Sequence, residues 1–365
     1  MDSRGDEMNW KTWGRTLCFG MVLGMLSGCG GDEWKAPGKV FAYAAAQYSN
    51  LIYSFEVNRL TGALTETSVP SIAAQDLPMI TTLSHDHSYL LAANYNSSSI
   101  SSYAIDRKTG NLTLVEHHAL SSGDSGPAWL FTHPTKNRVY SANAGSSTIS
   151  VLTVHEDGTL EALSSVSAGS GVASLAINAQ GTLLYSADQG ANRIGIFSIA
   201  SDGSLTALTP VALASGAQPN HLLLSPDGRF LYTANWGTEN VSQFQVAGSS
   251  LVSIGSDVAT GSGGVYTLAI SPDQKFLYAM KPYAGVISMH AIDAHTGALG
   301  ASTPISQPGA VSIAFWNPFA FLVSWTGNAS GLPVQTRLSS GSGLSSDGSN
   351  SPARQGLYWM TTVEF

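Results

Sequence analysis

Beyond residue 29 the chain has no cysteine: its two, Cys18 and Cys29, both lie near the start. The body can therefore hold neither a disulfide nor a thiolate metal site. A fold without such cross-links must rest on its apolar core, and the chain is long enough to bury one. Charge is also scarce, at 11% of residues, and no Lys/Arg cluster occurs in the body. A nucleic-acid partner is excluded on that ground, because phosphate binding needs a concentrated basic face. No segment sustains a helical period, and no apolar run approaches the roughly 20 residues a membrane-spanning helix needs. There is no Gly-x-Ser-x-Gly elbow, P-loop or dinucleotide fingerprint. The 9 histidines fall in no metal-ligand spacing, so neither a metal nor a cofactor is expected.

What is present is glycine, 38 residues of it, among many Ser, Thr and Asn, with short apolar runs between. That pattern reads as strands and tight turns. The first segment is different. Met8 to Cys29 reads MNWKTWGRTLCFGMVLGMLSGC, with Lys11 and Arg15 ahead of an 11-residue apolar run, Thr16 to Leu26. Leu26-Ser27-Gly28-Cys29 resembles the bacterial lipobox. The resemblance implies a signal peptide over 1–28 with Met8 as its start, cleavage before Cys29, and a lipidated tether over 29–38. Two or three acyl chains on Cys29 would anchor the mature protein stably in a membrane. Gly30 after the cysteine points to the outer membrane, facing the periplasm or the cell surface. The formal charge of −8 is unchanged by cleavage, since 1–28 carries three acids and three bases.

From Lys39 to Phe365 the chain repeats itself. The clearest copy, 218–251, reads QPNHLLLSPDGRFLYTANWGTENVSQFQVAGSSL. Others begin near 77, 126, 172, 264 and 309, and the first, from Val40, starts halfway through a unit. The residue after the Leu-Tyr run is Asn94, Asn143, Asp188, Asn235 and Lys281, at spacings of 49, 45, 47 and 46. A period of that length with four strand-like runs per unit is a propeller pattern. The expected fold is all-β: a seven-bladed β-propeller over 39–365 with four-stranded antiparallel blades. Pro226-Asp227-Gly228 and its equivalents supply the turns. Leu357 to Phe365 is a strand without a repeat of its own. It is expected to complete the first blade and close the ring, leaving no open sheet edge.

SPDGRFLYTAN at 225–235 and AANY at 92–95 resemble the lactonase-type propellers, which include 6-phosphogluconolactonases and muconate-cyclising enzymes, and the wider set of surface and periplasmic propellers with YVTN-type repeats. The resemblance covers about 320 residues. It implies an active site on one mouth of the ring, built from His, Arg and Glu. Of the usual carriers, Pro219-Asn220-His221 matches a Pro-x-His at the start of an inner strand. Gly126-Pro127-Ala128-Trp129 begins like a second motif and lacks its Arg and His, and no Asn-Glu follows any Leu-Tyr run.

In a blade the start of the inner strand and the end of the next share one mouth. That mouth gathers Trp129, His221 and Tyr266 from strand starts. It gathers Tyr95, Asn235, Trp236, Trp325, Asp188 and Lys281 from strand ends. The aromatic set with Asn235 suits a small-molecule or protein ligand. The recurring Asn has a second reading, as a turn residue bonding backbone. Two functions follow. One is an envelope lipoprotein, expected to be monomeric, that binds a ligand or partner at this mouth. The alternative is a lactone hydrolase acting on a sugar lactone or related ester, with His221 as base, Lys281 as electrostatic partner and Asp188 orienting.

Overall fold

A computed structural model describes residues 38–316, 319–324, 334–339, 343–350 and 357–365. Cys29 and the lipobox-like segment before it, and Trp325, lie outside them. The described residues form β-strands and turns, and the strands pair antiparallel into seven sheets. Each sheet has four strands, with the outermost split in two in the sheets that begin at Val172 and Pro219. The inner strands are Leu357–Glu364, Pro78–Leu83, Pro127–Thr132, Val172–Ile177, Pro219–Leu224, Thr267–Ile270 and Ala310–Trp316. Each contacts the inner strands on either side, and Leu357–Glu364 touches both Ala310–Trp316 and Pro78–Leu83. The architecture is a β-propeller. Sheets are numbered one to seven from the one containing Val40–Ala46.

Leu357–Glu364 pairs with Val40–Ala46, from Val40 opposite Glu364 to Ala46 opposite Leu357. The first sheet thus takes its inner strand from the far end of the sequence. Every residue of Val40–Ala46 is buried, as a strand covered on both faces and both edges must be.

Local chemistry sets the hairpins. Ser225 Oγ bonds the Asp227 carboxylate, which accepts from the Arg229 N–H, while Gly228 takes φ +71°. An L side chain resists that conformation and glycine does not. The second strand of each sheet carries the core. Tyr43, Tyr140 and Tyr232 are fully buried. Each hydroxyl crosses to the next sheet and donates to a turn carbonyl, that of Gly110, Gly203 and Gly297 respectively. A buried phenol needs such a partner, and here the partner also ties neighbouring sheets together.

Candidate functional site

Two repeated devices shape one mouth of the ring. The first is a latch. The last residue of the turn after the second strand has positive φ: Asn50, Ser98, Ser147, Asn192 and Glu239. Each side chain accepts a backbone N–H at the start of the following sheet, from Leu77, Gly126, Gly171, Gln218 and Gly263 in turn. The second device is a β-bulge, two residues after the latched N–H in the second to fifth sheets. The register slips at Met79, Ala128, Ala173, Asn220 and Val311. A bulge re-aims the extra side chain. All five bulged residues line one cavity of about 300 Å³.

Tyr95, Ala144 and Gln189, each the first residue after a second strand, line the same cavity, with Trp129, Tyr266, Thr267 and Gly171. No Asp, Glu, His, Lys or Arg is among these described residues. The polar groups form a chain. Gln189 Nε2 donates to Asn220 Oδ1 at 3.0 Å, and Asn220 Nδ2 donates to the Tyr266 carbonyl at 2.7 Å. No hydrogen bond to the Gln189 amide oxygen is seen among the described residues. Burial holds the Tyr266 hydroxyl well above the usual phenol range, so it stays protonated and can donate. Trp129 also lines a second cavity of about 370 Å³, walled by Ile80, Phe131, Phe315 and threonines, so its indole borders both.

The sequence-derived residues separate into two groups. Tyr95, Trp129 and Tyr266 meet in the cavity. Trp236 stands beside it, edge to face with Tyr266 at 6.2 Å and with Tyr283 at 5.3 Å. Gly264 makes room for that ring, since a Cβ there would fall 2.5 Å from the indole.

His221, Asp188, Lys281 and Asn235 do not line the cavity. His221 is buried behind Trp129, ring centroids 4.8 Å apart, and its Nδ1 accepts the Leu268 N–H at 3.3 Å. Burial pushes its pKa down to about 3, so the imidazole is neutral and a weak base. Asn235 is fully buried, its amide clamping Asn240 and Ser242 on the next strand. Asn94 and Asn143 make the same clamp. Asp188 is its charged version, accepting from Ser186 Oγ at 2.7 Å, Arg193 Nε at 2.8 Å and the Gly169 N–H at 3.0 Å. Desolvation pushes its carboxyl up against the pull of Arg193. Lys281 extends its ammonium to the carbonyls of Thr260 and Ser262, and desolvation lowers its pKa while Glu239 opposes.

Met79, Gln189 and Asn220 are cavity residues that the reading of motifs did not assign. They lie beside the recurring positions, where their neighbours vary from repeat to repeat as they do, so the sequence carries no signal that sets them apart.

Fold and site together define a β-propeller with a ligand-sized, uncharged cavity at one mouth. The profile of the family described as lactonase, 7-bladed beta-propeller, matches residues 35–125, 119–222 and 207–315. The chain belongs to that family. No curated protein sequence matches it. Solved structures do at the level of fold. A candidate 6-phosphogluconolactonase from Bacteroides uniformis aligns with TM-score 0.81 at 22% identity, over 89% of this chain and 100% of that one. One from Bacteroides fragilis aligns with TM-score 0.80 at 20% identity, over 91% and 100%. The periplasmic gluconolactonase PpgL of Pseudomonas aeruginosa aligns with TM-score 0.74 at 19% identity, over 90% and 99%.

Proposed function

We propose that this protein is an envelope lipoprotein, anchored through Cys29, whose seven-bladed ring binds a small neutral hydroxylated ligand in the Trp129–Tyr266 cavity. The observation that carries the reading is the chemistry of the cavity lining. Aromatic faces and two amides suit a ligand with apolar C–H faces and hydroxyls that both donate and accept. The same lining offers no carboxylate, imidazole or cation for acid–base work or for a phosphate.

The test is calorimetric titration with glucose, glucono-1,5-lactone and 6-phosphogluconate. The neutral compounds are expected to bind and the phosphorylated one not to. Asn220→Ala breaks the chain from Gln189 to Tyr266 and should weaken binding about tenfold, the effect of losing roughly 1.4 kcal/mol of hydrogen bonding. Binding of none of them, or equal binding of the phosphate, would sink the reading.

The second reading is lactone hydrolysis, and family membership favours it. Turnover of gluconolactone above the spontaneous rate, lowered by on the order of 10²-fold in His221→Ala with an unchanged melting temperature, would establish it. The buried, neutral state of His221 supports the opposite expectation: no turnover in either protein.

The anchor is tested separately. Cys29→Ser should move the protein from the membrane to the soluble fraction or leave it unprocessed. A variant that fractionates and migrates like wild type overturns the anchor and leaves the cavity reading untouched.

A further inference from the structure

The cavity of Asn220 and Gln189 is the upper level of a deeper space. Three inner strands pass from its wall directly into the wall of the second cavity, of about 370 Å³. In the second sheet Met79 lines the first cavity, and Ile80, Thr81 and Thr82 line the second. In the third sheet Ala128 lines the first, and Leu130, Phe131 and Thr132 line the second, with Trp129 in both. In the seventh sheet Val311 lines the first, and Ile313, Ala314 and Phe315 line the second. With the residues of three strands divided between them in this order, the cavities are successive levels of one axial space and meet at the Trp129 indole. At about 300 Å³ the upper level alone stands at the bottom of the roughly 300–1,000 Å³ that small-molecule sites span, and the two levels together lie well inside it.

The two levels differ in what they offer a guest. The upper one presents the linked amides of Gln189 and Asn220. The lower one presents the half-buried rings of Phe131 and Phe315, with Ile80 and Met360 in the same wall. Its polar groups are threonines, and four of their hydroxyls have spent their protons on the protein. Thr361 donates to the Thr81 carbonyl at 2.8 Å, so Thr81 is the donor in the 2.9 Å contact between the two hydroxyls. Thr132 donates to the Leu83 carbonyl, so Thr82 is the donor in its 3.3 Å contact with Thr132 Oγ. A hydroxyl carries one proton, and these four have none left to give. No Asp, Glu, His, Lys or Arg is among the described residues of this wall. A hydrated group entering the lower level would give up water for few donors, whereas an apolar chain gives up nothing by leaving water.

We propose that the ligand is an uncharged amphiphile: its hydroxylated head sits in the Gln189–Asn220 level, and an unbranched apolar chain passes Trp129 into the level below. The proposal rests on the cavity-binding reading and extends it, and the test separates the two. Methyl, butyl, hexyl and octyl glucosides, each below its micelle-forming concentration, are titrated into the full chain carrying Cys29→Ser, which needs no detergent. Affinity should rise at least about a hundredfold from methyl to octyl, the gain from burying the added methylenes less the cost of ordering them. Thr362 and Ala314 line only the lower level. Thr362→Phe fills that level and should remove the gain, leaving the methyl glucoside affinity within about twofold. Ala314→Val is a milder filling, less demanding of the fold, and should reduce the gain. Methyl glucoside binding that does not tighten with chain length, or a gain that Ala314→Val and a folded Thr362→Phe leave intact, overturns the amphiphile proposal alone. Binding of no glucoside, or binding of octan-1-ol as tightly as octyl glucoside, overturns the cavity reading with it.

Discussion

Removing Leu357 to Phe365 is expected to lower the melting temperature by at least about 10 °C and to make the protein aggregate. These nine residues supply the inner strand of the first sheet, hydrogen-bonded along Val40–Ala46. Met360 and Val363 are buried at 3% and 4% exposure, worth about 1.5–3 kcal/mol each. The larger loss is indirect. Val40–Ala46 is buried throughout, and without its partner it becomes an open apolar edge. The inner strands Pro78–Leu83 and Ala310–Trp316 each lose a neighbour. Together these losses take more than about 5 kcal/mol from a fold whose whole margin is on the order of 5–15. An unpaired edge of that composition also recruits other chains.

A rearranged chain distinguishes ring closure from simple loss of mass. Phe365 donates its N–H to the Lys39 carbonyl at 2.9 Å, so the last strand ends where the first begins. Moving 357–365 ahead of Lys39 through a short Asn-Gly turn recreates the ordinary hairpin between first and second strands. That permuted protein should melt within a few degrees of wild type. A truncated protein with an unchanged melting temperature, or a permuted one as unstable as the truncation, would show that this strand does not hold the ring together.

The fold was open to sequence reasoning because its determinants repeat. The Leu-Tyr strand, the Ser-Pro-Asp-Gly turn and the Asn that ends the second strand recur, and each serves a local need met in several sheets: a buried phenol lock, a positive-φ turn, an amide clamp. The candidate site was legible in part. Tyr95, Trp129 and Tyr266 follow from the rule that strand starts and strand ends share a mouth, and they do line the cavity. Asn235, Asp188 and Lys281 obey the same rule, yet their side chains are buried, Asn235 and Asp188 in the clamp and Lys281 against the Thr260 and Ser262 carbonyls, because the strand still runs through them and its alternation points them inward. The facing residue is the next one, Gln189 beside Asp188. His221 illustrates the same parity at the strand start. The bulge turns Asn220 to the cavity and leaves His221 in the core. No residue pattern announces a bulge here, and a one-residue slip moves a side chain to the opposite face.

Arg193→Ala is expected to cost about 2–4 kcal/mol of stability at neutral pH, a drop of roughly 4–8 °C in melting temperature. In the fourth sheet the usual Asn, hydroxyl and Ser of the clamp are replaced together by Asp188, Arg193 and Gly195. A carboxylate cannot donate to the next strand as Asn143 does to Thr148 and Ser150, so the guanidinium donates to it instead, at 2.8 Å. The Asp188 side chain is fully buried and that of Arg193 is 37% exposed. Removing the arginine leaves a buried carboxylate with two neutral donors. The cost falls toward the lower part of the range for a broken buried pair, since water can enter where the arginine lay. The pH dependence identifies the cause. Without Arg193, desolvation is opposed only by the Ser186 and Gly169 donors, so the folded-state pKa of Asp188 rises further above the ordinary 3.8. A carboxyl with a raised folded pKa destabilises the protein above that pKa, and the penalty fades as pH falls through it toward the unfolded value. The difference between variant and wild type in urea should therefore be smaller at pH 4 than at pH 7. Adding Asp188→Asn to Arg193→Ala removes the stranded charge and should recover most of the loss. The triple change Asp188→Asn, Arg193→Thr, Gly195→Ser copies the third sheet and should recover more. Equal losses at both pH values, or a double variant no better than Arg193→Ala, would show that the pair does not replace the amide clamp.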